Sequence, residues 1–306
     1  MSTPTLTTGL ASEAGHFYDK DGLPAYDVPN KSTATKCPTC GGSMRGAAAK
    51  EKTLACNDCD EGGYIYDLRP ATLTDAKKLD LARGVTTITK VLSSPAITNY
   101  LLRQQAEAAY TAPAAISNLP FEEWMAKIQA DAAEHAKQAR NKGTDIHATL
   151  ERGLNGDTLE GYAYREWYDV FRAGAIQTWD YLPKFHAEKS FTSGYGFGCK
   201  VDGVVFPCDE FPNGLVVDFK TKDFSFGMSM KPYDDNVMQL AANAHAAGIP
   251  DAEKWNIWFD RTHPIVGFVK IGEDEAKVGW TMFKHCLALS HIRDGWKPSW
   301  AFPLEF

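Results

Sequence analysis

Hydrophobic and polar residues alternate most clearly in the second half of the chain. Over residues 214–222, Leu215, Val217 and Phe219 point to one side of an extended strand, and Asp218 and Lys220 point to the other. Turn-forming residues separate this segment from two others of the same kind. The predicted strands are 185–193, 197–206 and 214–222.

Helical patterns flank these strands. Helix formers fill residues 120–154, with Gly143 predicted to interrupt the helix and Gly153 near its end, and they also fill residues 233–248. A hairpin, "WNIWFDRTHPIVGFVKI", follows at 255–271, and an amphipathic helix covers about 273–294. The order over residues 120–260 is therefore predicted to be α-β-β-β-α-β.

The N-terminal part is less regular. Residues 13–30 predict a hairpin around the turn "KDG". Farther on, "RPATLTDAKKLDLARGVTTITKVLSS" predicts a short helix, a break at Gly84 and a second helix capped by Thr86 or Thr87, and helix is again expected after Pro95. The expected division is 1–30 (hairpin), 31–69 (a cysteine-containing insertion), 70–119 (helical part) and 120–306 (α/β core).

Composition excludes some classes of protein. The chain has 306 residues, of which 44% are hydrophobic, which allows a substantial buried core. No apolar run is long enough to cross a membrane, and the N-terminus lacks the pattern of a signal peptide, so a cytoplasmic location is expected. The net charge of −7 is not that of a simple basic nucleic-acid binder, but a cluster of carboxylates for a divalent cation would itself make the chain acidic.

Four cysteines form two close pairs. Cys37 and Cys40 make one CxxC turn, Cys56 and Cys59 make another, and glycines follow each pair. Two such turns can present four thiolates to one tetrahedral Zn²⁺, so the sequence predicts a structural zinc ribbon. Two roles stay open for it: a clip that holds a short segment together, or a contact with DNA or a partner.

A second cluster lies on the predicted strands. If Asp202 lies opposite Asp218 in an antiparallel hairpin, Phe206 lies opposite Gly214, and the two carboxylates and Lys220 come close together. Carboxylates that hold Mg²⁺ or Mn²⁺ beside a lysine suit phosphodiester hydrolysis. The alternative is a solvent-facing strand with an ordinary Asp–Lys pair, which contributes only about 0–1 kcal/mol.

Four motifs in this order resemble the RecB-like branch of the PD-(D/E)XK nuclease superfamily. They are "GTDIH", ending at His147; "GCKVD", ending at Asp202; "VVDFKTK", with Asp218 and Lys220; and "QLAANAH", starting at Gln239. Asn243 stands where the last motif has tyrosine. The "RGVTTI" stretch is similar to phage exonuclease-like members, with Gly84 in place of serine.

The resemblance implies an α/β fold with the restriction-endonuclease-like core, in which helices flank a mixed central sheet. It implies that His147, Asp202, Asp218 and the Phe219 carbonyl hold Mg²⁺ or Mn²⁺, that Lys220 positions the attacking water, and that Gln239 lies near the substrate. Glu188, on the first strand, either joins this catalytic cluster or pairs with Lys189 or Lys200.

The function implied is that of a DNA nuclease, with exonucleolytic cleavage in phage-type recombination or replication. The implied partners are DNA and a phage recombination or single-strand-binding protein, in the host cytoplasm if the chain is phage-encoded. The alternatives are a structure-specific endonuclease and a non-catalytic DNA-binding protein on the same fold.

Overall fold

The computed structural model describes residues 17–25, 27–29, 31–38, 64–92, 95–113, 116, 118–225, 227–228 and 230–305. The strands are β1 (Phe17–Tyr18), β2 (Asp27–Pro29), β3 (Thr35–Lys36), β4 (Tyr64–Ile65), β5 (Leu68–Pro70), β6 (Ala82–Gly84), β7 (His186–Ser193), β8 (Phe197–Val205), β9 (Leu215–Lys222), β10 (Glu253–Asp260) and β11 (Val266–Ile271). The helices are α1 (Leu73–Leu79), α2 (Val85–Thr89), α3 (Pro95–Thr111), α4 (Phe121–Leu154), α5 (Arg165–Trp179), α6 (Asp234–Ala246) and α7 (Glu273–Asp294), and a 3-10 turn covers Lys31–Thr33.

A mixed sheet forms the centre of the fold. Its strands follow the order β1-β6-β8-β9-β10-β11, and β7 pairs with β8. The β6–β8 and β9–β10 pairs are parallel, and the other pairs in this sheet are antiparallel. One face packs against α2, α6 and α7, and the other packs against α4 and α5. The predicted class, a mixed α/β fold with helices flanking a central sheet, is confirmed.

The strands and the catalytic hairpin follow the sequence pattern. Residues 185–193, 197–206 and 214–222 correspond to β7, β8 and β9. The pairs Gly203↔Val217 and Val205↔Leu215 give the register expected from placing Asp202 opposite Asp218. The helix at 233–248, the hairpin at 255–271 and the final helix are also present.

One helix of the core was not anticipated. Helix α5 lies between α4 and β7, and its buried side chains are Trp167, Phe171, Ala175 and Trp179. They recur every four residues, which is the spacing of one buried helical face. The sequence carried this signal, and α5 covers the aromatic side of the sheet.

The prediction that Gly143 interrupts a helix was wrong. Helix α4 runs without a break from Phe121 to Leu154, and Gly143 is buried within it. A Cβ atom at this position would lie 2.6 Å from the Thr221 Oγ1 atom of β9. Glycine is therefore explained by the close approach of α4 to β9, where no side chain fits between helix and sheet.

Two N-terminal predictions also need correction. The turn after Tyr18 closes as expected, with a Tyr18↔Pro24 bridge, but the strands on either side pair elsewhere: β1 with β6, and β2 with β5. Helix α2 begins at Val85 after Gly84, which makes no side-chain cap, so Thr86 and Thr87 lie inside the helix.

The predicted zinc ribbon lies largely outside the described residues. Cys37 is described and buried, whereas Cys40, Cys56 and Cys59 are not described, so the zinc site stays a prediction. The described ends of this segment meet, because β3 pairs with β4 in the register Lys36↔Tyr64. Among the helices in the described ranges, none is long and apolar enough to span a bilayer.

Candidate metal centre

Strand β8 shares one of its two edges between two neighbours. Strand β7 pairs along one edge, from Phe197 to Val204. On the other edge, β6 pairs at 197–198 and β9 pairs at 203–205, so residues 199–202 have no strand partner there within the described chain. The sheet opens at this point, and the candidate site lies in the opening.

The same part of β8 departs from regular alternation. Cys199 and Val201 belong to the hydrophobic cluster on the α6 face, but Val205 belongs to the cluster on the α4 face. Strict alternation would put all three residues on one face. The change of face therefore falls close to Asp202.

Strand β7 is distorted at the matching position. The pairs Ala187↔Gly203 and Lys189↔Val201 place Glu188 opposite Asp202. Glu188 has a φ of +53°, in the left-handed region that side chains other than glycine rarely adopt. A conformation of this kind costs about 1–3 kcal/mol and is common at functional sites. The backbone distortion therefore falls at the position where Glu188 and Asp202 lie opposite each other, which supports a functional role for this pair of carboxylates.

Three side chains could hold one metal ion. His147 from α4, Glu188 from β7 and Asp202 from β8 each offer one ligand atom, and these atoms lie within 4.8 Å of one another. In an octahedral Mg²⁺ site with bonds of about 2.1 Å, ligand atoms are separated by ~3.0 Å or ~4.2 Å, so one ion fits this spacing. His147 Nδ1 lies 3.9 Å from Asp202 Oδ1. The helix and the hairpin therefore contribute to a common group.

Asp202 also closes the end of the β8–β9 ladder. Its Oδ2 atom accepts a hydrogen bond of 2.6 Å from the backbone N–H of Phe219. The last paired residues of the ladder are Gly203 and Val217, so a carboxylate takes over where strand pairing ends. This contact ties the metal-ligand group to the strand that carries Asp218 and Lys220.

Asp218 and Lys220 form a buried ion pair beside this group. The Lys220 ammonium donates to Asp218 Oδ1 at 2.9 Å and lies 2.7 Å from Oδ2. It also donates to Gln239 Oε1 at 2.9 Å. Asn256 on β10 donates through Nδ2 to Asp218 Oδ2 at 3.0 Å. Asp218 is only 2% exposed, so these partners hold both of its oxygens in place.

Two carboxyl groups of the site, those of Asp202 and Glu188, have raised pKa values. Burial and, after it, the charge of Asp218 raise the pKa of Asp202 to about 7. Burial and the charge of Asp202 raise the pKa of Glu188 to about 7, although Lys200 lies in contact with it and acts in the opposite direction. Like charges crowded in a poorly solvated site account for both shifts.

The basic groups respond in the opposite way. Burial, with the charges of Lys220 and Lys200, lowers the pKa of His147, which keeps its imidazole neutral and able to bind a metal. Burial opposes the charge of Lys220, but Asp218 and Asp202 outweigh it and raise the Lys220 pKa. The site therefore combines a lysine that stays charged with two carboxylates whose pKa values are raised.

A cleft of about 360 Å³ is bordered by the three possible metal ligands and by Gln239. It lies in the opening of the sheet, between α4 on one side and α6 on the other. Its lining residues are Tyr18, Val85, Thr86, Arg140, Gly143, Thr144, His147, Ala148, Glu151, Glu188, Cys199, Lys200, Asp202, Thr221, Gln239 and Asn243. Polar and apolar walls meet in this cleft, which is the size of a small-molecule site.

Most of the residues singled out in the sequence converge here. Glu188 both joins the acidic group and contacts Lys200, so the two alternatives considered for it are compatible. Asp218 is not part of the three-residue group found among the described residues, and its role as a metal ligand stays a prediction. The same holds for the Phe219 carbonyl, although the Phe219 N–H lies at the site.

Sequence reasoning missed Asn256. This residue is fully buried, and its amide holds Asp218. Its signal was available, because a single asparagine stands among apolar residues in "WNIWF". A buried amide in a strand needs a partner, and the partner is the carboxylate one strand away.

Comparison with known proteins adds little. No protein-family model and no curated protein matches the chain. Fourteen chains of solved structures match. One, described as "Crystal structure of SSO0001", is 13% identical over 40% of this chain, with a TM-score of 0.23, and the match spans 58% of that protein's length. A similarity this low supports no conclusion about fold family or function.

Proposed function

We propose that this protein is a Mg²⁺- or Mn²⁺-dependent deoxyribonuclease of the RecB-like PD-(D/E)XK type, with His147, Glu188 and Asp202 as metal ligands. The observation that carries the proposal is the position of this ligand group beside the Lys220–Asp218 pair, which is linked to it through the Phe219 N–H on Asp202 and through the bond from Lys220 to Gln239. Apart from the additional helix α5 between α4 and β7, the order α4, β7, β8, β9, α6, β10 is consistent with the αβββαβ core that the motifs imply.

The donor set fits such an ion. Two carboxylates and one imidazole provide hard oxygen atoms and one nitrogen atom, and oxygen ligands suit Mg²⁺ and Mn²⁺. The raised pKa values of Asp202 and Glu188 point the same way, because a cation would relieve the repulsion that produces them. Asp218 and the Phe219 carbonyl are proposed as further ligands on the β9 side.

The ion supplies, when bound, a Lewis acid for the phosphate and a water that ionises near neutral pH. The chain's own groups supply the rest. Lys220 carries a positive charge to the reacting phosphate and orients the water. Asp218 and Gln239 hold its ammonium in place, and Asn256 holds Asp218. Arg140 lines the same cleft, and its guanidinium is proposed to bind phosphate oxygens.

The substrate is proposed to be DNA and the mode exonucleolytic, in phage-type recombination or replication. The zinc ribbon is proposed as a structural element, with Zn²⁺ on Cys37, Cys40, Cys56 and Cys59. Its proposed partners, beside DNA, are recombination or single-strand-binding proteins of the same system.

The test is a cleavage assay on linear end-labelled and covalently closed circular DNA with Mg²⁺, Mn²⁺ or EDTA. Metal-dependent degradation of the linear substrate alone is expected. Lys220→Ala should lose at least about 100-fold in rate, the scale seen when one electrostatic group of a site is removed. Lys189→Ala, an exposed lysine on β7, is the matched control.

Each other outcome has a clear meaning. Cleavage of the closed circle would replace the exonuclease with an endonuclease. If the protein binds DNA but does not cleave it with either metal, a non-catalytic DNA-binding protein is the remaining alternative. Full activity in EDTA, or in Lys220→Ala, would overturn the proposal.

A further inference from the structure

The side chain of Asn243 is buried in the cleft with an unused acceptor. Asn243 is 1% exposed, and its Oδ1 atom has no hydrogen-bond partner among the described residues. It lies on α6 one turn after Gln239, which bonds to Lys220. A buried polar group without a partner destabilises the fold, so its presence in a cleft points to a partner supplied by a ligand.

The surroundings of Asn243 differ from the metal end of the cleft. Tyr18, Val85 and Cys199 are each 2–3% exposed and line the cleft with mainly apolar surface. The Tyr18 ring packs directly on β8 at Gly198, where a Cβ atom would lie only 2.3 Å from the ring. The cleft therefore combines a carboxylate and lysine end with an apolar wall that carries one amide.

A nucleobase matches this second part. Its faces are apolar, and its edge needs both hydrogen-bond donors and acceptors, which an asparagine amide offers together. A volume of about 360 Å³ is enough for one nucleotide but not for a base-paired duplex. A nucleotide that enters such a space must leave its partner strand.

We propose that the Tyr18–Val85–Cys199–Asn243 part of the cleft is a nucleobase subsite for one unpaired DNA nucleotide next to the phosphate that is cut, with Asn243 bonded to the base edge. This inference rests on the proposed nuclease function and extends it to a substrate class, a strand with an unpaired nucleotide at the cleft. Asn243 is then a residue for substrate selection, and the metal group and Lys220 act on the phosphate.

The test compares single-stranded oligodeoxynucleotides of one base type with an oligomer of abasic nucleotides. The unaltered protein should favour base-bearing oligomers by about 10- to 100-fold in kcat/KM, the range for one good contact to a base edge. Asn243→Leu, of similar volume, should reduce this preference to about threefold or less, mainly through KM. It should slow cleavage of the base-bearing oligomers far more than cleavage of the abasic oligomer.

Two further variants guard against a purely structural effect. Ser290→Ala removes a different buried polar atom without a partner, the Ser290 hydroxyl on α7 outside the cleft, and should leave the base preference unchanged. Asn243→Ala serves if the leucine variant does not fold. In the Lys220→Ala background, fluorescence anisotropy of the labelled oligomers should show the same loss of base preference without any cleavage.

The inference fails if Asn243→Leu slows base-bearing and abasic oligomers equally, or if a fully paired blunt end is cut as fast as a single strand. These results differ from failure of the nuclease proposal, in which the unaltered protein cuts no oligomer with any metal. In that case the anisotropy comparison still decides whether Asn243 contacts bases.

Discussion

Replacing Asp202 with asparagine should stabilise the metal-free protein and abolish metal binding. The pKa of this carboxyl is raised to about 7, whereas an ordinary aspartate has a value of about 4. Asparagine keeps the volume and can still accept the hydrogen bond from the Phe219 N–H. Asp202→Asn therefore removes the buried charge and leaves the local geometry in place.

The magnitude follows from the pKa difference. A difference of about three pH units at 1.36 kcal/mol each gives an upper limit of ~4 kcal/mol, and the repulsion shared with Glu188 lowers the expected value to ~2–4 kcal/mol. Between pH ~4 and ~7 the folded protein keeps a proton that the unfolded chain has lost. Stability therefore falls as pH rises through this window and is constant above it.

Thermal or urea unfolding in EDTA measures the effect. At pH 8, Asp202→Asn should exceed the original protein by ~2–4 kcal/mol, or roughly 4–10 °C in Tm, and by only about 1 kcal/mol at pH 5. Mn²⁺ at a free concentration of about 100 times its Kd should stabilise the original protein by ~2.7 kcal/mol. The same concentration should not stabilise the variant. Asp209→Asn, in the exposed loop between β8 and β9, is the control.

One result would refute the reasoning: an Asp202→Asn protein no more stable than the original at pH 8 without metal. An advantage that stays the same at pH 5 and pH 8 would also contradict it. The carboxylate would then not be in the crowded, poorly solvated environment from which the metal site was inferred.

Four further predictions test the rest of the site. His147→Ala should weaken Mn²⁺ binding by ~10-fold or more and Mg²⁺ binding less, because imidazole suits transition metals better than Mg²⁺; calorimetric titration measures both. Asn256→Leu should lower kcat by ~10-fold or more with little change in KM, because Asp218 loses a partner, and steady-state kinetics would show it. Gly143→Ala should weaken metal binding, because the added methyl group would push α4 away from β9. Adding Thr221→Ala should restore binding, because the Thr221 Oγ1 atom is the only neighbouring atom that lies too close to this methyl group. Metal titration of the single and double variants tests both expectations. Cys56→Ser should lose one zinc per chain by elemental analysis and lower the unfolding temperature, with Mg²⁺-dependent cleavage retained in protein that stays folded.

The periodic parts of the chain were predictable because local physics determines them. The sequence pattern identified β7, β8 and β9, and placing Asp202 opposite Asp218 gave the register of the last two strands. The same information could have found α5, whose buried residues recur every four positions. Gly143 was misread because glycine disfavours a helix in isolation, whereas here a contact made far along the chain decides its role.

The shared edge of β8 was beyond prediction from sequence. Strand β6 pairs with β8 through only two residues, and their partners in β8 lie more than a hundred positions farther along the chain. So short a strand leaves no periodic signal, and its partner is chosen by tertiary packing. The left-handed φ of Glu188 is equally non-local, since nothing in "HAEKSF" distinguishes it from a regular strand.

The opening of the sheet explains why the functional residues can lie in a buried place. Where β9 leaves β8, backbone groups lose their strand partners, and side chains must satisfy them; Asp202 does so for the Phe219 N–H. The same departure leaves room for α4 and α6 on opposite faces, so that His147 and Gln239 line one cleft. Carboxylates placed there lack water and repel each other, which lowers the stability of the metal-free protein. A divalent cation bound by these carboxylates would offset that loss, so metal binding and the stability of this part of the sheet are expected to rise together.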